Sequence, residues 1–477
     1  MQEFIGRTSE LELLERIWSR ERYKSCAVYG RRRIGKTRLI NEFIKDKRGI
    51  VFDLIMGTEN ENAQRMSRIL ADTMNISTDS ETLYDVFGCL KRLCSEEKMI
   101  IVLDELPYLT EKNKRAASEI QHFIDWMADS TESMIIVCGS SISLMLDELK
   151  NREDPLYGRF HHEIDLGPLS LQETRGFHPS LSDQDLLRTY LTLGGIPLYH
   201  AGAGDRDYGS IVEEYLFDAS GIFYNDATAI VISEMKELSG SAMSVLECIA
   251  SGLYRFGDIS SRTGLSDQAT DRCLKGLMGM RLIDVLHPMA GAPKHPVYMI
   301  TDPSAAFFFS IIRRNYTVSR LSEGIYDALK QQISGFLGRQ FEIFCRAEIP
   351  KRYPCREIGS WWGAVPVRDD DGRLLRDDRG KVVTEDEDID LVATLHKGNF
   401  RIDLCAECKF TNRKASLTTL NNLERRVSFI KGDDNRILMI ISVNGFEEDL
   451  EEYAVDNSVA LVDMDVIIGK KPYPELF

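Results

Sequence analysis

Residues Gly30 to Thr37 read GRRRIGKT, and this stretch constrains the fold more than any other. It follows the apolar run Cys26 to Tyr29 and opens a helical stretch, Lys36 to Ile44. In a G-x-x-x-x-G-K-T pattern between strand and helix, Gly30 and Gly35 let backbone N–H groups turn inward on a phosphate at a helix N-terminus. The backbone from Gly30 through Arg31, Arg32, Arg33 and Ile34 to Gly35 would form the cradle. Lys36 would reach the β- and γ-oxygens, and the Thr37 hydroxyl would ligate magnesium. ATP and Mg2+ are therefore the expected ligands.

Short apolar runs then alternate with helical stretches: Ile50 to Ile55, Met99 to Leu103, Met134 to Cys138 and Glu163 to Leu166. That alternation predicts an α/β fold with a parallel sheet covered by helices. Met99 to Leu103 ends in Asp104 and Glu105, so Asp104 is expected in the magnesium shell and Glu105 beside the attacking water. Met134 to Cys138 ends in Gly139, Ser140 and Ser141. The Ser140 hydroxyl is placed either to sense the γ-phosphate or simply to cap a helix.

At 477 residues the chain has room for about three domains of roughly 150 residues. The expected division is 1–170, the phosphate-loop domain; 171–238, a helical lid interrupted by Gly194, Gly195 and Pro197; 239–303, a winged helix-turn-helix; 304–332, a helical connector; and 333–477, a second α/β domain. Arg368 to Gly380, rich in Asp, Arg and Gly, reads as a solvated hairpin tip or loose loop. Hydrophobic residues at 43% and charged residues at 28% are ordinary for a globular chain. No apolar run approaches the roughly 18 to 20 residues of a membrane span. Met1 to Glu10 lacks the basic, apolar, small-residue succession of a secretory signal, so a cytoplasmic protein without a membrane partner is expected. The net charge of -16 argues against coating nucleic acid by bulk positive charge but leaves room for a local basic groove. Ten cysteines scattered without repeated spacing read as reduced thiols, and the lone Cys405–Cys408 pair falls in an alternating strand rather than a zinc site.

The opening FIGRTSELELL (Phe4 to Leu14), the phosphate loop, LDELPYL (Leu103 to Leu109), CGSSISLM (Cys138 to Met145), PLYGR (Pro155 to Arg159) and GGIP (Gly194 to Pro197) together resemble the archaeal-type ATPases of the STAND class, relatives of AAA+ proteins. The resemblance covers roughly the first 300 residues, and YMITDP (Tyr298 to Pro303) continues it. It implies that Gly6 and Arg7 border the adenine pocket, that Pro197 touches the base and that Arg159 approaches the γ-phosphate. In that class the winged helix commonly packs on the nucleotide domain and transmits its state. Its third helix here, Ser266 to Arg281, balances Arg272, Lys275 and Arg281 against Asp267 and Asp271. DNA contact and intramolecular packing both stay open, as does a homo-oligomer.

The last domain carries Glu342, Asp390 in EDEDIDLVA, and Glu407 with Lys409 in AECKF. These residues, with the order helix, strand, hairpin, helix, strand, resemble the restriction-endonuclease-like PD-(D/E)xK fold. GRQFEIFCR (Gly338 to Arg346) and Trp361-Trp362 resemble the C-terminal domain usually fused to these ATPases. A turn centred on Gly398 and Asn399 would set Asp390 opposite Glu407 and Asp388 opposite Lys409 on one face. The other face would collect Ile389, Leu391, Ala393, Ile402, Leu404, Ala406 and Cys408. Facing carboxylates repel unless a cation lies between them, so Glu342, Asp390 and Glu407 are the expected metal ligands and Lys409 the residue beside the attacking water. The reading is an ATPase whose nucleotide state regulates a magnesium-dependent nuclease-like domain. The alternative is a nucleotide-switched DNA-binding or scaffold protein with an inactive nuclease-like domain.

Overall fold

The run before the phosphate loop forms β1 (Ser25–Tyr29), buried along its whole length. A computed structural model describes residues 3–22, 24–76, 82–111, 113–289, 295–316, 324–367, 373–397, 400–430 and 435–476. With β2 (Gly49–Asp53), β3 (Ile100–Asp104), β4 (Met134–Gly139) and β5 (His162–Asp165), β1 builds a parallel sheet in the order β2-β3-β4-β1-β5. Every residue of β1, β3 and β4 is buried, as a parallel sheet with helices on both faces requires. The register pairs Tyr29 with Gly139 and Leu103 with Val137. The loop after β1, Asp104-Glu105 and Ser140 thus leave the sheet at the same C-terminal edge, where open α/β sheets hold their ligands.

The chain divides into two compact units, Met1–Phe177 with Gly195–Gly202, and His178–Gly194 with Ala203–Phe477. The stretch 171–238, expected as one lid, is therefore shared: Gly195–Gly202 belongs to the first unit, while the helices Asp183–Leu193 and Ile222–Met235 belong to the second.

In the second unit, helices Ser239–Ala250, Phe256–Thr263 and Asp267–Gly279 precede an antiparallel hairpin of β6 (Ile283–Leu286) and β7 (Val297–Ile300). Val245, Leu246 and Ile249 of the first helix and Cys273, Leu274 and Leu277 of the third are buried. One helix then runs from Ile325 to Arg352, straight through the expected boundary at 332/333. Ile325, Leu329, Ile333, Phe336, Leu337, Phe341 and Phe344 keep three- to four-residue spacing across that point, so nothing breaks the helix there.

This helix leads into a mixed sheet ordered β12-β11-β10-β9-β8, from β8 (Cys355–Pro366), β9 (Thr384–Lys397), β10 (Phe400–Lys409), β11 (Arg436–Ser442) and β12 (Ala460–Val462). The pairs β8/β9 and β9/β10 are antiparallel, while β10/β11 and β11/β12 are parallel. The expected hairpin register holds from Phe400↔Lys397 to Ala406↔Leu391. Its turn, Gly398-Asn399, and Arg368–Gly372 lie outside the described residues; Arg376 bridges Val382 in the remainder of that loop. The hairpin differs from expectation in being buried on both faces: Ile389, Leu391, Val392, Ala393, Leu404 and Cys405 are all inaccessible. Leu420 and Leu423 of the helix Leu417–Val427 pack against Ile389, Val392 and Cys405 in one core. Among the described residues, no helix is long and apolar enough to cross a membrane.

Candidate active sites

The phosphate loop is held by unusual backbone: Gly30 has φ 157°, Arg33 φ 66° and Gly35 φ 97°. A Cβ on Gly30 would stand 2.5 Å from the Leu166 carbonyl oxygen, so only glycine fits. Lys36 Nζ donates to the carbonyls of Gly30 (2.9 Å) and Arg31 (3.2 Å). Burial pulls its ammonium below the ordinary lysine value, opposed by the carboxylates of Glu105 and Asp104. Thr37 Oγ1 donates to Asp104 Oδ2 at 2.8 Å, which brings the two expected magnesium-shell residues together. Glu105, at φ 57°, accepts from both the backbone N–H and the hydroxyl of Ser140 at 2.9 Å. Arg32 donates to the Tyr108 hydroxyl at 3.0 Å, and the buried Ile34 offers its carbonyl to Arg7 at 3.0 Å.

Arg7 thus meets the loop at Ile34, and Gly6 precedes it. Arg7 N–H donates to Glu173 Oε1 at 2.8 Å, and a Cβ on Gly6 would lie 2.7 Å from that oxygen. Pro197 also arrives, its ring 3.7 Å from where Gly35 would carry a Cβ. Arg159 does not. Parallel pairing sets Cys26 of β1 beside His162 of β5, so residues preceding His162 flank the start of β1, whereas the phosphate loop follows its end. A five-residue strand, roughly 16 Å, separates the two ends. Arg159 instead lies 2.9 Å from Asp125, and its carbonyl accepts from the Ser25 hydroxyl. Arg159 therefore does not approach the γ-phosphate position beside Gly30–Thr37, contrary to what the resemblance implied.

The second constellation gathers on the mixed sheet. Gly359 pairs with Val392 but Trp361 with Ile389, so β9 carries one extra residue there, a bulge that includes Asp390. Arg346 (2.6 Å) and the Ser360 hydroxyl (2.7 Å) both donate to the Asp390 carbonyl. Its carboxylate accepts from Cys408 N–H at 2.7 Å. Glu407, 4% exposed, is paired with Lys409 at 2.5 Å and Arg426 at 2.9 Å. Glu342 approaches from the long helix. Its carboxyl is pushed up to about 8, mainly by burial and then by Asp390. Asp390 is pushed up to about 6, by burial and then by Glu407.

The donor chemistry, hard carboxylate oxygens, suits a small divalent cation. The geometry differs from the expected three-carboxylate site, because Glu407 is engaged by two cationic side chains. Among the described residues, no three His, Cys, Asp or Glu are grouped to hold a metal ion. The β9/β10 ladder ends at Ala406↔Leu391, before the expected Asp390–Glu407 and Asp388–Lys409 pairs; Asp388 pairs with Trp362 on the β8 side, and its carbonyl accepts from Arg426. Arg346, Ser360 and Arg426 were not expected from sequence. In the last turn of its helix, Arg426 reads as an ordinary charge complementing the helix dipole.

A parallel sheet with a phosphate loop after its second-to-last strand in spatial order, and a Thr–Asp pair at the strand ends, defines a P-loop ATPase. The chain belongs to that class through residues 4–200, which match the family described as "ATPase domain predominantly from Archaea". Residues 308–421 match a family described as archaeal and bacterial proteins of unknown function. An uncharacterized protein of Methanocaldococcus jannaschii is 26% identical over 389 residues, spanning 78% of this chain and 86% of that protein. An uncharacterized ATP-binding protein of the same organism is 47% identical over 45 residues, 9% of this chain and 76% of its own. Among solved structures the chain is similar to a Walker-type ATPase of Pyrococcus abyssi, at TM-score 0.49 and 21% identity, covering 65% of this chain and 96% of that one.

Proposed function

We propose that this ATPase uses its nucleotide state to regulate a magnesium-dependent, nuclease-like centre acting on nucleic acid, in the manner of a STAND-type ATPase fused to a PD-(D/E)xK domain. ATP would bind at Gly30–Thr37, with Thr37 and Asp104 holding magnesium, Glu105 polarising water, and Gly6, Arg7 and Pro197 bordering the base. Glu342, Asp390 and Glu407 would hold a second cation. The observation that carries the reading is the pair of buried carboxyls Glu342, on the long helix, and Asp390, in the bulged strand, each pushed up by burial and by a neighbouring carboxylate, Asp390 for the first and Glu407 for the second. Such repulsion is relieved when a cation arrives. When bound, magnesium supplies charge for a phosphate oxygen and a water of lowered pKa. Lys409 would then stabilise or activate the attacking water.

A specific observation favours the second reading, a nucleotide-switched binding or scaffold protein. Glu407 is already neutralised by Lys409 and Arg426, as in a centre that has lost its metal. Cleavage of end-labelled oligonucleotides by the full chain with magnesium separates the two. Cleavage lost in Glu407→Gln and Asp390→Asn supports the nuclease. Wild-type protein that binds but never cleaves supports the scaffold.

A further inference from the structure

A cavity of about 270 Å3 adjoins the acidic centre within the second unit. Its floor includes Glu342, Asp388 and Asp390, its roof is Val297, Tyr298 and Met299 of β7, and Tyr254 and Trp362 complete the aromatic lining. One stripe of the long helix lines a wall: Phe336, Arg339, Gln340, Ile343 and Arg346, at the three- to four-residue spacing of a single helix face. The compartment is fastened rather than loosely apposed. Met289 N–H donates to the Ser360 carbonyl at 2.9 Å, and Pro288 bridges Ser360, so the segment just after β6 adds to edge strand β8. A Cβ on Gly359 would stand 2.5 Å from the His287 carbonyl oxygen, which lets the two backbones meet only at glycine. Tyr298 N–H donates to the Tyr254 carbonyl at 2.8 Å, fixing these two tyrosines relative to each other.

Two features of the lining call for a ligand that is neither purely apolar nor a bare ion. Gln340 is 6% exposed, lines the cavity, and its amide makes no hydrogen bond among the described residues. Its amide atoms open onto the cavity rather than into packed core, so they are available to whatever fills it, water or a ligand. Arg339, exposed at the same wall, has no ion-pair partner among the described residues. Tyrosine and tryptophan faces, a free amide and a free guanidinium are what a nucleotide uses: a stacked base, a hydrogen-bonded base edge and a phosphate.

We propose that this cavity receives one unstacked nucleotide of a single-stranded nucleic acid, with its phosphate directed toward Asp390 and Glu407. The proposal rests on the nuclease-like reading and names its substrate class. The cavity has room for a single unit, slightly below the roughly 300 to 1,000 Å3 of typical ligand pockets. A duplex would have to surrender a base from its stack and pairing before anything could enter, a cost that a single strand does not bear. Tyr298, Tyr254 and Trp362 would hold the base by its face. Gln340 would meet its edge, and Arg339 would meet the backbone.

The test is fluorescence anisotropy of labelled deoxy- and ribo-oligonucleotides, single-stranded and as duplexes of the same sequence, with the full chain in calcium. Single strands of at least one sugar type are expected to bind at least tenfold tighter than the duplex. Trp362→Ala is expected to weaken them about tenfold, in the range for loss of one stacking platform. Gln340→Leu, which keeps the packing volume, is expected to weaken them severalfold, and both variants are checked for an unchanged melting temperature. Duplex binding as tight as single-strand binding, no binding of either, or variants that melt and bind like wild type would each overturn the proposal. Should Glu407→Gln bind single strands normally while wild type never cleaves them, the compartment stands and the nuclease reading alone fails.

Discussion

Thr37 Oγ1 and Asp104 Oδ2 stand 2.8 Å apart, a hydrogen bond between the residue that closes the phosphate loop and the last residue of β3. Because β4 lies between β1 and β3, this bond spans the sheet edge and fixes both oxygens on one side of the loop. The other Asp104 oxygen lies 2.7 Å from Cys138 Sγ, whose thiol burial and Asp104 push well above its ordinary range. Thr37 and Asp104 would be the residues to hold a magnesium ion, which would supply positive charge beside the phosphates.

Lys36→Ala should abolish ATP binding measured by titration calorimetry. Nζ now spans two loop carbonyls in a buried position, so its loss removes both the cation for the phosphates and a brace for the loop. Affinity within twofold of wild type would refute the site.

Glu105→Gln should bind ATP normally and hydrolyse it about a hundredfold or more slowly, the usual scale for loss of a positioned base. The amide can keep one hydrogen bond to Ser140, so the loop geometry survives while the charge does not. Wild-type turnover in a steady-state phosphate assay would place the base elsewhere.

Gly195→Ala tests how Pro197 reaches the loop. An added Cβ would stand 2.0 Å from the Leu169 carbonyl oxygen and 2.5 Å from its nitrogen, both backbone atoms that cannot swing aside. Leu169 N–H also donates to the Gly195 carbonyl at 2.8 Å. The variant should lose about 1 to 3 kcal/mol of stability, the cost of forced overpacking. It should also bind ATP more weakly, because Pro197 follows two residues later. Unchanged melting and affinity would show that this crossing is not tight.

Stability of the first unit should fall as pH rises from about 4.5 to above 7. Glu148 is buried, shares a hydrogen bond with Thr110, and has its carboxyl pushed up to about 7, mainly by desolvation. A carboxyl whose folded value exceeds its unfolded one binds more protons in the folded state. Its contribution is thus complete below the unfolded value and is lost as pH passes through about 7. Glu148→Gln should flatten that dependence and stabilise the protein at pH 8, on the order of 2 kcal/mol. Denaturant midpoints that vary with pH identically in the two proteins would contradict the assignment.

The phosphate site was legible because its signal is local: one loop, two flanking apolar runs, and the acids ending a third. The β9/β10 register from Phe400↔Lys397 to Ala406↔Leu391 was legible for the same reason, since only two residues separate the strands. Arg159 was misplaced because the end of the sheet that a residue reaches depends on the pairing of β5 with β1, which no local pattern encodes. The bulge at Asp390 and the two-sided burial of β9 likewise depend on β8 and on helices far away in sequence. Arg426 escaped notice because it is indistinguishable in sequence from its neighbour Arg425, which pairs with Glu387 at the surface.

The central claim, that nucleotide state governs the acidic centre, is tested most directly by the rate at which the full chain cleaves a labelled single strand in magnesium with ATP, with ADP and with no nucleotide. At least a fivefold difference is expected between the ATP and nucleotide-free rates, abolished by Lys36→Ala, with no cleavage in Glu407→Gln under any condition. Cleavage that is lost in Glu407→Gln yet proceeds at one rate regardless of nucleotide, in wild type and Lys36→Ala alike, would contradict it.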